Sequence, residues 1–214
     1  MAKKIGAVIV CQLNHTNYGS CLQAYATIQM VKRFGYDISL IRYIKKRSIL
    51  DWLKIGPKLL ISGGLESLQI SLKRRIDQFK YPSYLPNQRI RERATNNFKE
   101  QEFVPLYKEY VGFKALCEGS LEYDAVFVGS DQVWKPWGFY SYYWNLMFVD
   151  NSVPKFSYAA SFGVSKIPFI QRKGTAKYLN RLASISVRET KGKEIVETLS
   201  AKSATLVSDP TMLF

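Results

Sequence analysis

Five short apolar runs, each stopping at a cluster of small and polar residues, set the limits on what this chain can become. Ile5–Cys11 leads into Asn14-His15-Thr16-Asn17-Tyr18-Gly19-Ser20, and Ala125–Val128 into Gly129-Ser130-Asp131-Gln132. Phe156–Ala160 leads into Ser161-Phe162-Gly163, Ile185–Val187 into Arg188-Glu189, and Ala204–Val207 into Ser208-Asp209-Pro210. Continuous apolar runs of this kind suit strands buried on both faces of a parallel sheet. Ligands of such sheets bind in the crevice beyond the carboxyl ends of the strands. The pattern predicts an α/β fold whose strand ends bring hydroxyl, amide, carboxylate and guanidinium groups into one cleft.

Helical spacing fills the intervals. Leu22, Tyr25, Ala26, Ile28, Met30, Val31 and Phe34 form an apolar stripe, with Gly35 as a stop and Ile38–Tyr43 as the next strand. This βαβ unit argues for a three-layer parallel sheet. Further helices are expected at Gln171–Leu182 and Lys191–Leu199. From Arg42 to Gln101 the pattern changes: Ile49–Leu60 and Leu65–Phe79 read as basic helices, Pro82 and Pro86 as breaks, and Gln88–Phe103 as irregular, with a short helix there as the alternative. Residues 44–101 are therefore expected to form a basic helical insertion or lid.

The net charge of +14 is concentrated there. Arg42 to Arg93 holds thirteen Lys/Arg against four Asp/Glu. Such a stretch suits an anionic membrane surface or a negatively charged substrate. Nucleic acid is the least supported partner, because no zinc-finger, RNA-binding or helix-turn-helix pattern accompanies the charge. No apolar run reaches the roughly 18 residues that span a bilayer. Cys11, Cys21 and Cys117 are odd in number and scattered, which argues against a disulfide framework or zinc site and for a reducing cytoplasm.

The clusters carry distinct chemistry. Asn17-Tyr18-Gly19-Ser20 precedes a helix, where Asn17 or Ser20 can cap and exposed N–H groups attract an anion. No dinucleotide or P-loop glycine pattern occurs anywhere. Gly129-Ser130-Asp131-Gln132 places a hydroxyl, a carboxylate and an amide after a buried strand: groups for gripping sugar hydroxyls, with Asp131 placed to act as a general base or to cap a following helix. Arg188 offers a planar fork for phosphate or carboxylate, or for an ion pair with a neighbouring acid. The aromatic stretch Trp134–Phe148 suits core packing and also stacking against sugar rings. His15, the only histidine, has no evident partner.

Together the clusters resemble the polysaccharide pyruvyl transferase family. The resemblance is carried by Asn17-Tyr18-Gly19-Ser20 with Leu22-Gln23-Ala24-Tyr25-Ala26, by Val128-Gly129-Ser130-Asp131-Gln132-Val133-Trp134, and by Ser157-Tyr158-Ala159-Ala160-Ser161-Phe162-Gly163. Ile185-Ser186-Val187-Arg188-Glu189 and Ser208-Asp209-Pro210-Thr211 complete it. It implies transfer of a pyruvyl group from phosphoenolpyruvate to two hydroxyls of a saccharide or lipid-linked glycan, forming a ketal, with no cofactor and no metal. It also implies two Rossmann-like domains facing each other as in GT-B glycosyltransferases. Residues 1–214 are then a single Rossmann-like N-terminal domain, with 205–214 opening the link to a C-terminal domain that carries the family's histidine. On that reading the chain alone is inactive and works in the cytoplasm, peripherally at the inner membrane face. Asp131 is the expected catalytic residue. Asn17, Tyr18, Gly19, Ser20, Gly129, Ser130, Gln132, Ser161 and Arg188 are the expected substrate contacts. A non-catalytic glycan- or anion-binding domain and half of a GT-B-like glycosyltransferase are the competing expectations.

Overall fold

A computed structural model describes residues 2–10, 17–46, 72–73, 76–77, 80–81, 83–136 and 142–213. His15, Cys11, the expected helix Ile49–Leu60 and most of the expected helix Leu65–Phe79 lie outside them. The chain runs β1 (Lys4–Val8), α1 (Tyr18–Arg33), β2 (Asp37–Ile44), α2 (Tyr84–Glu102), β3 (Tyr107–Val111) and α3 (Phe113–Gly119). It continues through β4 (Ala125–Asp131), β5 (Lys155–Ala160), α4 (Phe169–Asn180), β6 (Ser184–Val187), α5 (Thr190–Leu199) and β7 (Thr205–Leu206). All seven strands join one parallel sheet in the order β3-β2-β1-β4-β5-β6-β7. The fold is α/β and Rossmann-like, as the βαβ pattern predicts. The sheet grows outward from β1 to β3, then reverses at β4, so its switch point lies between β1 and β4.

Both faces of the sheet are buried, and neighbouring residues divide between them. Ala7 and Phe127 pack with Ala24, Ile28 and Val31 of α1 and with Phe103. Val8, Val126 and Val128 pack on the opposite side with Leu116, Leu179, Ile195 and Val196. This explains why the central strands read as unbroken apolar runs; each such side chain contributes about 1.5–3 kcal/mol on burial. Asn17 caps α1 through Oδ1, which accepts from Ser20 N at 3.4 Å, and Gly35 at φ +76 turns the chain out of the helix.

Gln88–Phe103 is not irregular. α2 is the crossover helix that carries the chain from β2 to its parallel neighbour β3, so the C-terminal part of the expected insertion belongs to the sheet's own architecture. Pro86 does not break α2 because it sits in the first turn, where its missing N–H removes no intrahelical bond. Tyr25, Phe98 and Phe103 pack in series, first tilted and then edge to face, with ring centroids 5.5 Å apart at each step, and dock this helix on α1. β3 is a strand without an apolar run. Its Lys108 pairs with Glu122, and its Glu109 with Arg42 across the ladder.

The connection from β4 to β5 has no helix among its described residues; 142–149 are turns. Arg181, just beyond α4, fastens them. Its Nη2 donates to Val149 O at 2.7 Å and Asn151 Oδ1 at 2.9 Å, and its Nη1 to Met147 O at 3.1 Å.

Candidate active site

The carboxyl ends of β4, β5 and β6 meet beside the N-terminal part of α1. β4 extends through Gly129, Ser130 and Asp131 before it turns, so these residues are strand rather than loop. Gly129 lies at φ +137, and a Cβ there would sit 1.9 Å from the carbonyl oxygen of Tyr158 on β5. Only glycine lets the two strands close here. Asp131 stands at φ +79 and Ala159 at φ +49, left-handed conformations that cost about 1–3 kcal/mol for residues with a side chain. Backbone strain is thus concentrated where the candidate chemistry lies.

Arg188, leaving β6, is the centre of the arrangement. Its Nη1 donates to Asp209 Oδ2 at 3.0 Å and its Nη2 to Asp131 Oδ1 at 3.4 Å, while its Nε lies 3.6 Å from Glu189 Oε1. One guanidinium therefore faces three carboxylates. Gln23, one turn into α1, donates to the same Asp209 Oδ2. Thr211 N and Oγ1 donate to Asp209 Oδ1 at 3.1 and 2.8 Å. Burial pushes the Asp209 carboxyl up, but the hydrogen bonds from Thr211, Arg188 and Gln23 outweigh it and hold the group below the usual carboxylate range. Burial, reinforced by the Asp209 charge, raises the Tyr158 phenol.

The remaining expected site residues divide into two groups. Asn17, Tyr18 and Gly19 are exposed and Ser20 half-buried at the start of α1, joined to Arg188 through Gln23 and Asp209. Asp131 is partly open, and its Oδ1 accepts Gln132 N at 2.8 Å; a turn follows it, so the alternative role of capping a following helix does not arise. Gln132 is exposed. Ser161, by contrast, is fully buried: its hydroxyl donates to Glu189 Oε1 at 2.7 Å and accepts Gly163 N at 3.0 Å. Ser130 is buried, with a hydroxyl that finds no hydrogen-bond partner. Gln23, Tyr158, Glu189 and Asp209 complete the site although sequence reasoning singled out none of them as a contact. Among the described residues no group of three or more His, Cys, Asp or Glu side chains is arranged to hold a metal ion.

A family model described as polysaccharide pyruvyl transferase matches residues 17–214. The chain belongs to that family. The match takes in every element of the site, from Asn17 at the cap of α1 to Thr211 beside Asp209. No curated protein and no solved structure matches the chain.

A cavity of about 380 Å³ opens on the α4 side of the sheet. Gln132, Trp134, Trp144 and Gln171 are among its lining residues. Trp134 is buried and packs on Phe162 and Tyr178 at centroid distances of 5.1 and 5.7 Å, with its Nε1 donating to Trp144 O at 3.3 Å.

Proposed function

We propose that the chain forms one wall of a pyruvyltransferase site that moves the pyruvyl group of phosphoenolpyruvate onto two hydroxyls of a cell-surface saccharide. The observation that carries this reading is the placement of Asp131 and Arg188. A partly open carboxylate and a partly open guanidinium lie 3.4 Å apart at the ends of β4 and β6. The reaction needs both kinds of group. Protonation of the enol carbon makes a methyl group and an oxocarbenium-like centre, which a sugar hydroxyl attacks. Phosphate departs with its bonding electron pair, and a second hydroxyl closes the ketal. Of the two hydroxyl protons released, one balances the methyl group and the other leaves with phosphate.

Asp131 suits the role of base. Its contacts fall on Oδ1, and among the described residues nothing engages Oδ2. Arg188 suits the role of anion anchor in a restricted sense. Nη1 is committed to Asp209, whereas the contacts of Nη2 and Nε, at 3.4 and 3.6 Å, are long enough to be exchanged for a donor carboxylate or phosphate. Neutralising a neighbouring carboxylate is part of that exchange, since one cation faces three anions. The acid that protonates the enol carbon and further cationic donor contacts would come from a facing domain. The exposed basic N-terminal half of α2, which carries Arg89, Arg91 and Arg93, would meet an anionic bilayer surface bearing a lipid-linked acceptor. The setting on this reading is cytoplasmic.

The test is ligand-dependent stability of the full-length protein. Phosphoenolpyruvate at a hundred times its Kd adds about 2.7 kcal/mol, and nucleotide sugars should add nothing. Arg188→Ala should weaken phosphoenolpyruvate about 10- to 150-fold, the loss of one charge-assisted bond. Stabilisation by a nucleotide sugar instead would make the chain a glycosyltransferase half. An unchanged affinity in Arg188→Ala would remove the arginine from the donor site.

A further inference from the structure

We infer that the cavity between α4 and the turns at 142–149 is a binding site for one sugar ring of the acceptor. The inference names the acceptor side of the reaction proposed above and rests on that reading. Five features of the cavity support it.

Its volume, about 380 Å³, falls in the range of small-ligand sites, roughly 300–1,000 Å³. Trp134 and Trp144 are among its lining residues, and aromatic surface packs against the apolar C–H faces of a pyranose. Gln132, Asn145 and Gln171 also line it. A primary amide carries donor and acceptor side by side, which is what neighbouring sugar hydroxyls present. Among the described residues no carboxylate lines the cavity, and Lys135 is the one charged lining residue. These residues offer more to a neutral or acidic sugar than to a cation.

The fifth feature is Gly174. It lies in the interior of α4, where glycine is the least favourable residue after proline, and it lines the cavity. Because Gly174 lines the cavity, a large side chain there is expected to encroach on it. The position in the chain also fits. Gln132, which lines the cavity, directly follows Asp131, the candidate base, in the chain.

The experiment is titration of the full-length protein with the methyl glycosides of common hexoses, N-acetylhexosamines and hexuronic acids. Binding is read by tryptophan fluorescence and by saturation-transfer NMR. At least one class should bind. Trp144→Ala and Gln171→Ala should each weaken it about tenfold or more. Gly174→Leu should abolish binding while the melting temperature holds or rises, because leucine favours the helix. Unchanged binding in Gly174→Leu, or no binding by any class at tens of millimolar, overturns the inference. Phosphoenolpyruvate binding, measured in the same samples, separates the two failures. If it persists without saccharide binding, only the cavity assignment falls. If saccharides bind at the cavity but phosphoenolpyruvate does not bind, the pyruvyl-transfer reading falls and the sugar site remains.

Discussion

Asp209 Oδ2 lies 3.0 Å from Arg188 Nη1 and also accepts the amide of Gln23, so a residue beyond β7 locks a strand-end arginine to the first helix. This places Asp209 at the junction of three separate segments. It also gives the carboxylate a folded pKa below its unfolded value of about 3.9.

The sign of the pH effect follows. A depressed folded pKa contributes stability that is present above about pH 4 and is lost as pH falls through the folded value. Asp209→Asn should therefore lower the urea midpoint at pH 7, by about 1–3 kcal/mol, and the gap to wild type should narrow near pH 3. Equal gaps at both pH values would mean that the carboxylate's charge contributes nothing.

Gly129→Ala should be among the most damaging single changes in the chain. The added methyl meets a backbone oxygen at 1.9 Å, and φ +137 is strained for any L-residue. Overpacking and dihedral strain together should cost about 3–5 kcal/mol, measurable as a collapse of the denaturation midpoint. A near-neutral variant would show that β4 and β5 can separate at this point.

Asn17→Ala tests the first loop. The cap bond is long, at 3.4 Å, so the loss should lie at the low end of capping effects, about 0.5–1 kcal/mol. Saccharide binding in the cavity should be unaffected, since Asn17 does not line it. A drop in phosphoenolpyruvate affinity larger than the stability loss would place Asn17 in the donor site.

Charge reversal on α2 tests the membrane contact. Wild type should sediment with phosphatidylserine vesicles at low salt and be released at high salt, because each basic residue contributes about 1 kcal/mol near an anionic surface. Replacing Arg89, Arg91 and Arg93 with Glu should remove binding without unfolding the chain, as all three are exposed. Sedimentation that ignores both lipid charge and salt would exclude the contact.

The central strands were legible because burial on both faces leaves an unbroken apolar run in sequence, as in Ala125–Val128. β3 was not, because an edge strand shields its exposed face with Lys108 and Glu109 and keeps only Tyr110 fully buried. α2 was obscured by Pro86 and by an N-terminal half whose Leu85 and Ile90 are exposed; its Phe98, nearer the far end, packs on Tyr25 of α1. The site was read in outline, since Asp131 and Arg188 stand at strand ends. Their partners were not readable. Arg188 meets Asp131 and Asp209 only because β6 lies between β5 and β7, and strand order is not written in local pattern. Ser161 shows the opposite limit: a hydroxyl in the right motif proves to be buried and already bonded.

Arg181 has a consequence for the cavity. α4 supplies one side through Gln171 and Gly174, and the turns supply the other through Trp144 and Asn145. The same guanidinium that ends α4 grips the carbonyls of Met147 and Val149. The two sides are therefore one casting rather than a pair of jaws, and the gauge of the slot is set before any ligand arrives.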